Sequence, residues 1–480
     1  MERTSQPGPG LGTAEGLAAA RIGEDLTTPI GSLVSRPPVA VSPEASVAEA
    51  ARAMRDAGAS AALITDEPPG IVTHRDLGER VLAAGLEPGV PVRAVMSRPL
   101  QPFPDGMPVH EALRRVLELG VHHLPVTRGG RVVAILRDTD LLRHQFRSPL
   151  PLLNRIEALS RLSDAPGDYS REVASITETL FFGGLGVAQI GGVLAAVSDA
   201  LVRRLLALAE RELGPPPCPY SWIVLGSEGR REQVLLSDQD NALVYRDDVQ
   251  GASDYFRSLA ALAVDGLLKS GFPRCPGGYM ATSWCKPLAE WQVLFRRWVE
   301  IPEPEALLEA QIFLDFRTVY GGLSLEPLDR TLASGGRRGL FLHNLARAVL
   351  RFRPPLGPLG RIRTDDGAID LKAGGIGPIV MMARLYALAA GAGARPTLER
   401  LQVAAEAGTL SRAGAEILGE SFRFLTRLRL QEQIRSLHRG EGPGNRVRLD
   451  AVSPLERRRL SEALRAVRKQ QDAAALRFPG

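Results

Sequence analysis

"LGSEGRREQVLLSDQDNALVY", Leu225 to Tyr245, sets a dense group of charges at the mouth of an apolar run, Trp222-Ile223-Val224-Leu225. Tyr220 to Leu225 reads as a buried strand, and Gly226-Ser227 turns sharply off its end. Ser227 is placed to cap a short helix running through Arg230-Arg231-Glu232. A strand that ends in Gly-Ser and opens a helix presents free backbone N–H groups, which is a phosphate cradle. Arg230 and Arg231 add positive charge beside it. Downstream, Asn241 to Tyr245 is strand-like again. Residues two apart on a strand share a face, so Asp238 and Asp240 aim together. Two carboxylates this close repel unless a cation sits between them. Mg2+ is the natural guest, a hard ion held by few carboxylates plus substrate phosphates. Gly226, Ser227, Arg230 and Arg231 are therefore candidate nucleotide-binding residues. Asp238 and Asp240 are candidate metal ligands and catalytic residues of phosphoryl transfer. The plainer alternative is a salt-bridged loop without chemistry.

The rest of the chain sets bounds on this reading. At 480 residues it is long enough for two to four domains. Its 44% hydrophobic and 24% charged content is that of a globular protein. A net charge of +5 is diffuse at this length, and no aromatic-basic motif accompanies it, so no nucleic-acid partner is expected. Cys218, Cys275 and Cys285 form no C-x-x-C pair, which fits reduced thiols and a cytoplasmic location. The first sixteen residues are rich in Gly, Pro and Ser, without a signal pattern, and are expected to be disordered. The most apolar stretch, Phe181 to Val202, carries five glycines together with Gln189, Ser198 and Asp199. It reads as a buried or partner-facing helix, and no membrane span is expected.

The N-terminal third repeats itself. "SVAEAARAMRDAGASAALI" (Ser46 to Ile64) and "PVHEALRRVLELGVHHLPV" (Pro108 to Val126) share one pattern. Val47, Ala50, Ala51 and Met54 mark one helical face, and Val109, Ala112, Leu113 and Val116 mark it again. Gly58 and Gly120 end the two helices. A short strand follows each, then a second strand running into "GIVTHRDL" (Gly70 to Leu77) or "AILRDTDLL" (Ala134 to Leu142). This unit resembles a tandem pair of CBS domains, over about Ile22 to Arg147. The resemblance implies adenine-nucleotide binding, AMP or ATP, and a face-to-face homodimer. Thr73 and Asp76 could hold phosphate and ribose hydroxyls, or they could merely cap a helix. In the second repeat Asp140 remains, but Arg137 stands where Ser or Thr is expected; it could pair with a phosphate instead.

The opening stretch as a whole is similar to the polymerase-β-like nucleotidyltransferases. In particular it resembles the nucleotidyltransferase domain found beside CBS pairs in bacteria, which is related to the N-terminal region of protein-PII uridylyltransferase. The resemblance implies a third carboxylate on a later strand. Asp315 in "IFLDFRTVYG" is the candidate third ligand or general base, with pairing to Arg317 or another buried cation as the alternative. Glu290 is the runner-up. The Gly/Pro-rich stretch Gly271 to Trp291 also matches the family and could wall the nucleotide pocket; Lys286 within it could contact phosphate or be solvated.

The last third reads as helical: Leu371 to Gly391, Ser411 to Ile434 and Leu460 to Gln471. It resembles the helical domain that accompanies this family. "DLKAGGIGPI" is similar to a Lys-Gly-Gly-rich loop of uridylyltransferases, but Gly377-Pro378 stands where that loop carries Arg-Asp, which puts a role for Lys372 in doubt. Arg423, Arg427 and Arg429 lie near one another on a helix; a solvated face is the plainer reading.

The expected fold class is α/β and α: a tandem CBS pair, a polymerase-β-like nucleotidyltransferase α/β domain and a helical C-terminal domain. The expected boundaries are a disordered segment at 1–21, the CBS pair at 22–147, a helical linker at 148–214, the nucleotidyltransferase domain at 215–325 and the helical domain at 326–480. The expected activity is Mg2+-dependent transfer of an NMP from an NTP to a protein or small-molecule acceptor, gated by the CBS pair. A non-catalytic nucleotide sensor is the competing expectation. The seven histidines include no His-Asp run, so an added hydrolytic metal domain is not expected.

Overall fold

The structure, a computed structural model, describes residues 28–34, 36–142, 149–235, 238–246, 249–357 and 360–479. The expected lead-in at 1–21, and residues 22–27 and 143–147 at the ends of the CBS stretch, lie outside the described residues. The chain divides into two compact units: one runs to Leu150 and includes Phe182–Leu185, the other holds Pro151–Phe181 and Gly186 onward.

The first unit shows the duplication directly. Strand β1 (Ala40–Val41), helix α1 (Val47–Asp56) and strands β2 (Ala61–Ile64) and β3 (Gly70–Thr73) form one half. Strand β4 (Phe103–Pro104), helix α2 (Val109–Leu119), strands β5 (His123–Arg128) and β6 (Arg131–Arg137), and helix α3 (Asp138–Leu142) form the other. In each half the first strand runs parallel to the second, and the second antiparallel to the third. Ser46 and Glu49 start α1 with a reciprocal capping box. The faces read from periodicity are the buried ones: Val47, Ala50 and Met54 on α1, and Val109, Ala112, Leu113 and Val116 on α2.

After a helix at Leu150–Ala158, the second unit continues with helices α4 (Tyr169–Phe182) and α5 (Val187–Leu213). Strand β7 (Tyr220–Val224), helix α6 (Gly226–Gly229), strand β8 (Asn241–Tyr245), helix α7 (Ala252–Lys269), strand β9 (Cys285–Pro287), helix α8 (Leu288–Glu300) and strand β10 (Arg317–Gly321) follow. The sheet order is β10-β7-β8-β9; β7 pairs antiparallel with both neighbours, and β8 pairs parallel with β9. Every residue of β7 and β8 is buried. Most of the stretch expected as a helical linker, Pro151–Phe181 and Gly186 onward, falls in this unit. Helix α5 packs on α7 and β10, and it buries Ile190, Val197, Leu201 and Leu206. That burial accounts for the apolar run at Phe181 to Val202. Among the described residues, no helix is long and apolar enough to cross a membrane.

Further elements include helices α9 (Glu326–Gly335) and α10 (Gly339–Arg351), strand β11 (Ala368–Asp370), helices α11 (Gly377–Ala389), α12 (Thr397–Glu406) and α13 (Arg412–His438), strand β12 (Arg446–Arg448), and helix α14 (Pro454–Arg477). Strands β11 and β12 form an antiparallel ribbon that periodicity did not reveal. The sheet and these helices share one apolar cluster, which joins Ile223 and Val244 to Trp291, Met382, Leu425 and Leu464.

A buried charge cluster closes the contact between the sheet region and the helices. Asp315 is fully buried. Its Oδ2 lies 2.5 Å from Arg230 Nη1 and 2.5 Å from Arg384 Nη2, and its Oδ1 lies 2.7 Å from Arg400 Nη1. Burial alone would raise its pKa, but the guanidiniums of Arg384, Arg400 and Arg230 hold it far below the usual carboxylate range. Glu232 extends the cluster, accepting from Arg230 Nε at 2.7 Å and from the Thr397 backbone N–H at 2.5 Å, at the start of α12. The expectation that Asp315 serves as third metal ligand or base is corrected here. Both of its oxygens are held by arginines, so it is an anchor. Removing one partner of such a buried set leaves uncompensated charge. Asp315→Ala should therefore destabilise the second unit by about 3–5 kcal/mol, read as a lowered urea midpoint, whereas the exposed-site control Asp472→Ala should shift it by less than about 1 kcal/mol.

Candidate functional site

The Gly-Ser turn takes the expected place. Gly226 has φ +54 and packs against Ile312 and Asp240, so a side chain there would be strained. Gly229 has no room at all: a Cβ would stand 1.7 Å from the Asp315 carbonyl oxygen. The helix is shorter than expected and spans only Gly226–Gly229. Its cap position is Leu225, so Ser227 sits inside the helix and does not cap it. The first-turn N–H groups of Ser227 and Glu228 have no acceptor within so short a helix. Arg230 is tied to Asp315 and Glu232 and points into the cluster. Arg231 adopts φ +57 just after the helix.

Asp238 and Asp240 lie on the loop that feeds β8. The Asp240 backbone carbonyl accepts from Leu225 N–H at 2.9 Å, which ties this loop to the end of β7. Asp240 Oδ1 is buried and has no hydrogen-bond partner among the described residues. Burial pushes the Asp240 carboxyl up to about 6, against the opposing pulls of the Cys275 thiol, which donates to it, and the Lys372 ammonium. An orphaned carboxylate oxygen beside a second carboxylate is the donor set a hard divalent cation takes, so these residues fit Mg2+. The β7, β8, β9 and β10 strands themselves carry no acidic residue. Glu290, the runner-up third ligand, is exposed and pairs with Lys286 at 3.1 Å.

The Gly/Pro-rich stretch does not line the cleft described below, but it braces the aspartate loop. Asn241 Oδ1 accepts from Ala281 N–H at 2.7 Å, and Cys275 reaches Asp240. A second buried carboxyl missing from the sequence reading is Glu228, pushed up to about 8 by burial and by the charges of Asp240 and Asp199.

A cleft of about 470 Å³ opens beside the turn. The sheet side supplies Ser227, Arg230 and Gln233, and the helical side supplies Lys372 and Arg429. Lys372 is drawn down chiefly by burial and then by Arg429, while Asp240 and Asp238 favour its charged form. The helical domain thus supplies a cation whose charge is felt by the aspartate pair, although the loop's Gly377-Pro378 departs from the uridylyltransferase pattern. The three arginines of α13 separate. Arg423 and Arg427 are exposed, with Arg427 over the Phe181 ring; Arg429 turns inward, and burial pulls it down to about 10.

The CBS pair has its own cleft of about 570 Å³, lined by Arg36, Ser60, His123, Arg137 and Asp140 among others. Ser60 Oγ and His123 Nε2 meet at 2.8 Å across the repeats. Asp140 accepts the Arg137 backbone N–H at 2.9 Å, as Asp76 accepts that of Thr73 at 2.9 Å. Thr73 and Asp76, however, close a complete capping box, with the Thr73 hydroxyl 2.7 Å from Asp76 Oδ2, and they do not line this cleft. Arg137 and Asp140 of the second repeat both line this cleft, with Arg137 Nη2 3.6 Å from Asp140 Oδ1.

The second unit joins a four-stranded α/β sheet to a helical region, in a chain that also holds a duplicated strand-helix unit. Family models agree by segment. "Putative nucleotidyltransferase DUF294" matches residues 171–305, "Putative nucleotidyltransferase substrate binding domain" matches 339–478, and "CBS domain" matches 30–82 and 92–147. The chain therefore carries both domains of this nucleotidyltransferase family, preceded by a CBS pair. An uncharacterized protein of Methanopyrus kandleri is 32% identical over 119 residues, which cover 24% of this chain and 61% of that protein. The Arabidopsis thaliana CBS domain-containing protein CBSCBSPB2 is 38% identical over 101 residues, 20% of this chain and 19% of that protein. The match thus spans less than two thirds of either relative. Among solved structures, an uncharacterized conserved protein from Pyrococcus horikoshii shares 29% identity over 25% of this chain and 95% of its own, with TM-score 0.24. A CBS domain protein from Pyrobaculum aerophilum complexed with AMP shares 25% identity over 26% of this chain and 99% of its own, with TM-score 0.23.

The raised pKa of Asp240 has a definite sign. In the unfolded chain it titrates near 3.8 and in the folded chain near 6, so its ionisation disfavours folding as pH rises through that window. Asp240→Asn removes this penalty. It should stabilise the metal-free protein by about 1–3 kcal/mol above pH 6, and the gain should vanish below about pH 4. Urea unfolding in EDTA at several pH values checks it.

Proposed function

We propose that the second unit transfers an NMP group from an NTP to the hydroxyl of an acceptor, in the manner of protein-PII uridylyltransferase, with Asp238 and Asp240 as ligands of a catalytic Mg2+; the acceptor oxygen bonds to the α-phosphorus, the α–β phosphoanhydride bond breaks, pyrophosphate leaves, and the hydroxyl proton passes to solvent. The observation that carries this reading is the orphaned Asp240 Oδ1 near Asp238, with the charge of Lys372 acting on both. Bound Mg2+ would supply charge neutralisation on the phosphates and a lowered acceptor pKa. Ser227 donates its hydroxyl to a phosphate oxygen, and Lys372 compensates phosphate charge. The Asp315 cluster holds Arg230 and the turn in place for this work. Positioning and electrostatic stabilisation then carry the rate, with no covalent enzyme intermediate required.

The anchoring of Asp315, and the lack of an acidic residue in the sheet strands, favour a second reading: a nucleotide sensor without turnover. Incubation with each labelled NTP, Mg2+ and native lysate separates the two. The enzyme reading requires label on a protein or small molecule. It also requires loss of that label in Asp240→Asn, by about a thousandfold or more if several kcal/mol of transition-state stabilisation is removed. Turnover within about threefold of wild type in Asp240→Asn would defeat the metal-ligand assignment, and NTP binding without label transfer in the wild type would favour the sensor. Ser227→Ala should weaken NTP binding by about 1 kcal/mol and leave binding of the nucleoside unchanged.

For the CBS pair we propose an adenine-nucleotide effector, AMP or ATP, in the cleft of Arg36, Arg137 and Asp140, and a homodimer through the pair. Two arginines for phosphate and a carboxylate for ribose hydroxyls are the chemistry that supports it. Calorimetric titration of the full chain with AMP should show heat that disappears in Asp140→Ala. Asp76→Ala should leave that heat in place and lower thermal stability by breaking its capping box. Loss of the heat in Asp76→Ala alone would return the site to the first repeat.

A further inference from the structure

Four buried side-chain atoms without a hydrogen-bond partner among the described residues belong to residues lining the 470 Å³ cleft: Gln233 Oε1, Gln311 Nε2, Thr426 Oγ1 and Arg429 Nε. Gln233 and Thr426 are 8% and 5% exposed. A buried polar group without a partner costs about 1–3 kcal/mol, so four around one space are a strong demand for a ligand.

The two amides are fixed in direction. Ser198 Oγ donates to the Ala195 carbonyl at 3.2 Å, so it must accept from Gln233 Nε2, which lies 2.8 Å away. The atom that Gln233 leaves unpartnered is therefore its oxygen. Arg384 Nη1 can only donate, and it lies 3.1 Å from Gln311 Oε1. Gln311 therefore offers its NH2. Among the residues that line the cleft, one amide is thus left with a fixed unpartnered acceptor and one with a fixed unpartnered donor, with the Arg429 N–H as a further donor and the Thr426 hydroxyl able to act either way. Apolar surface from Phe352, Phe422, Val380 and Met381 lies around them. A flat heteroaromatic ring with donors and acceptors on its edge satisfies both parts of such a lining, since its faces take the apolar contacts and its edge takes the amides.

We propose that this cleft holds the nucleobase of the NTP, and that Gln233 and Gln311 read its hydrogen-bonding edge and set which base is accepted. The proposal rests on the nucleotidyl-transfer reading of the neighbouring turn and aspartate pair, from which Ser227 and Lys372 reach this cleft. It adds a recognition role that neither the aspartate pair nor Ser227 supplies. Sites that pair buried polar groups with a substrate's own donors and acceptors discriminate strongly, because the wrong edge leaves those groups unpaired.

The test is binding by the full-length protein, with ATP, CTP, GTP, UTP and inorganic tripolyphosphate titrated separately in Mg2+. The expected result is one NTP bound at least about tenfold more tightly than the weakest, with tripolyphosphate weaker than that NTP. Gln233→Leu and Gln311→Leu should each weaken the favoured NTP by about tenfold and change tripolyphosphate by less than about twofold. Gln311→Glu, which keeps the size and the acceptor for Arg384 but removes the NH2, should repeat the loss with unchanged thermal stability. All four NTPs within about threefold of one another, or equal losses for NTP and tripolyphosphate in the variants, would overturn base reading and leave the nucleotide site intact. No binding of any NTP or of tripolyphosphate would overturn both.

Discussion

One buried carboxylate organises the second unit. Asp315 is held by arginines from three directions: Arg230 just after the Gly-Ser turn, Arg384 on α11 and Arg400 on α12. Three guanidiniums against Asp315 and Glu232 leave one positive charge in excess. Buried charge is tolerable only when paired and hydrogen-bonded, so these elements hold one another in register. The cluster also lies under the turn: Gly229 must be glycine because the Asp315 carbonyl occupies the space of a Cβ. A change at any member would therefore be felt at Ser227.

The neighbouring aspartates have the opposite environment. Asp315 is over-compensated and stays ionised, whereas Asp240 is under-compensated and rises to about 6. Two carboxylates of one chain are pushed apart by the number of cations around each. The one left with an open oxygen is the one suited to an external cation. The helical region contributes to that balance through Lys372, so the site is built by both parts of the unit and not by the α/β sheet alone. The shared apolar cluster fixes that juxtaposition.

Much of this was legible in the sequence. The strand, glycine, serine and paired aspartates carry local signals, because turn geometry and strand alternation act within a few residues. The duplicated CBS unit was visible for the same reason: its helical faces and strand order repeat. Asp315, Arg384 and Arg400 carried no such signal. An aspartate between apolar residues looks the same whether it will bind a metal or three arginines, and its partners lie up to 85 positions away. Gln233 and Gln311 were missed because an amide gains meaning only from what fixes its other end. The short ribbon of β11 and β12 escaped because its pairing is long-range.

The sequence by itself determined the two modules, the Gly-Ser turn and the aspartate pair, since each depends on backbone preference and side-chain spacing over short distances. Tertiary structure decided which charges are neutralised and which remain open. It made Asp315 an anchor, left Asp240 with an unpartnered oxygen, turned Arg429 inward from a helix that also carries exposed arginines, and set Asp140 in the lining of the CBS cleft. The physical reason is common to all four. Desolvation and pairing depend on which distant groups fold against a residue, and a one-dimensional pattern does not contain that information.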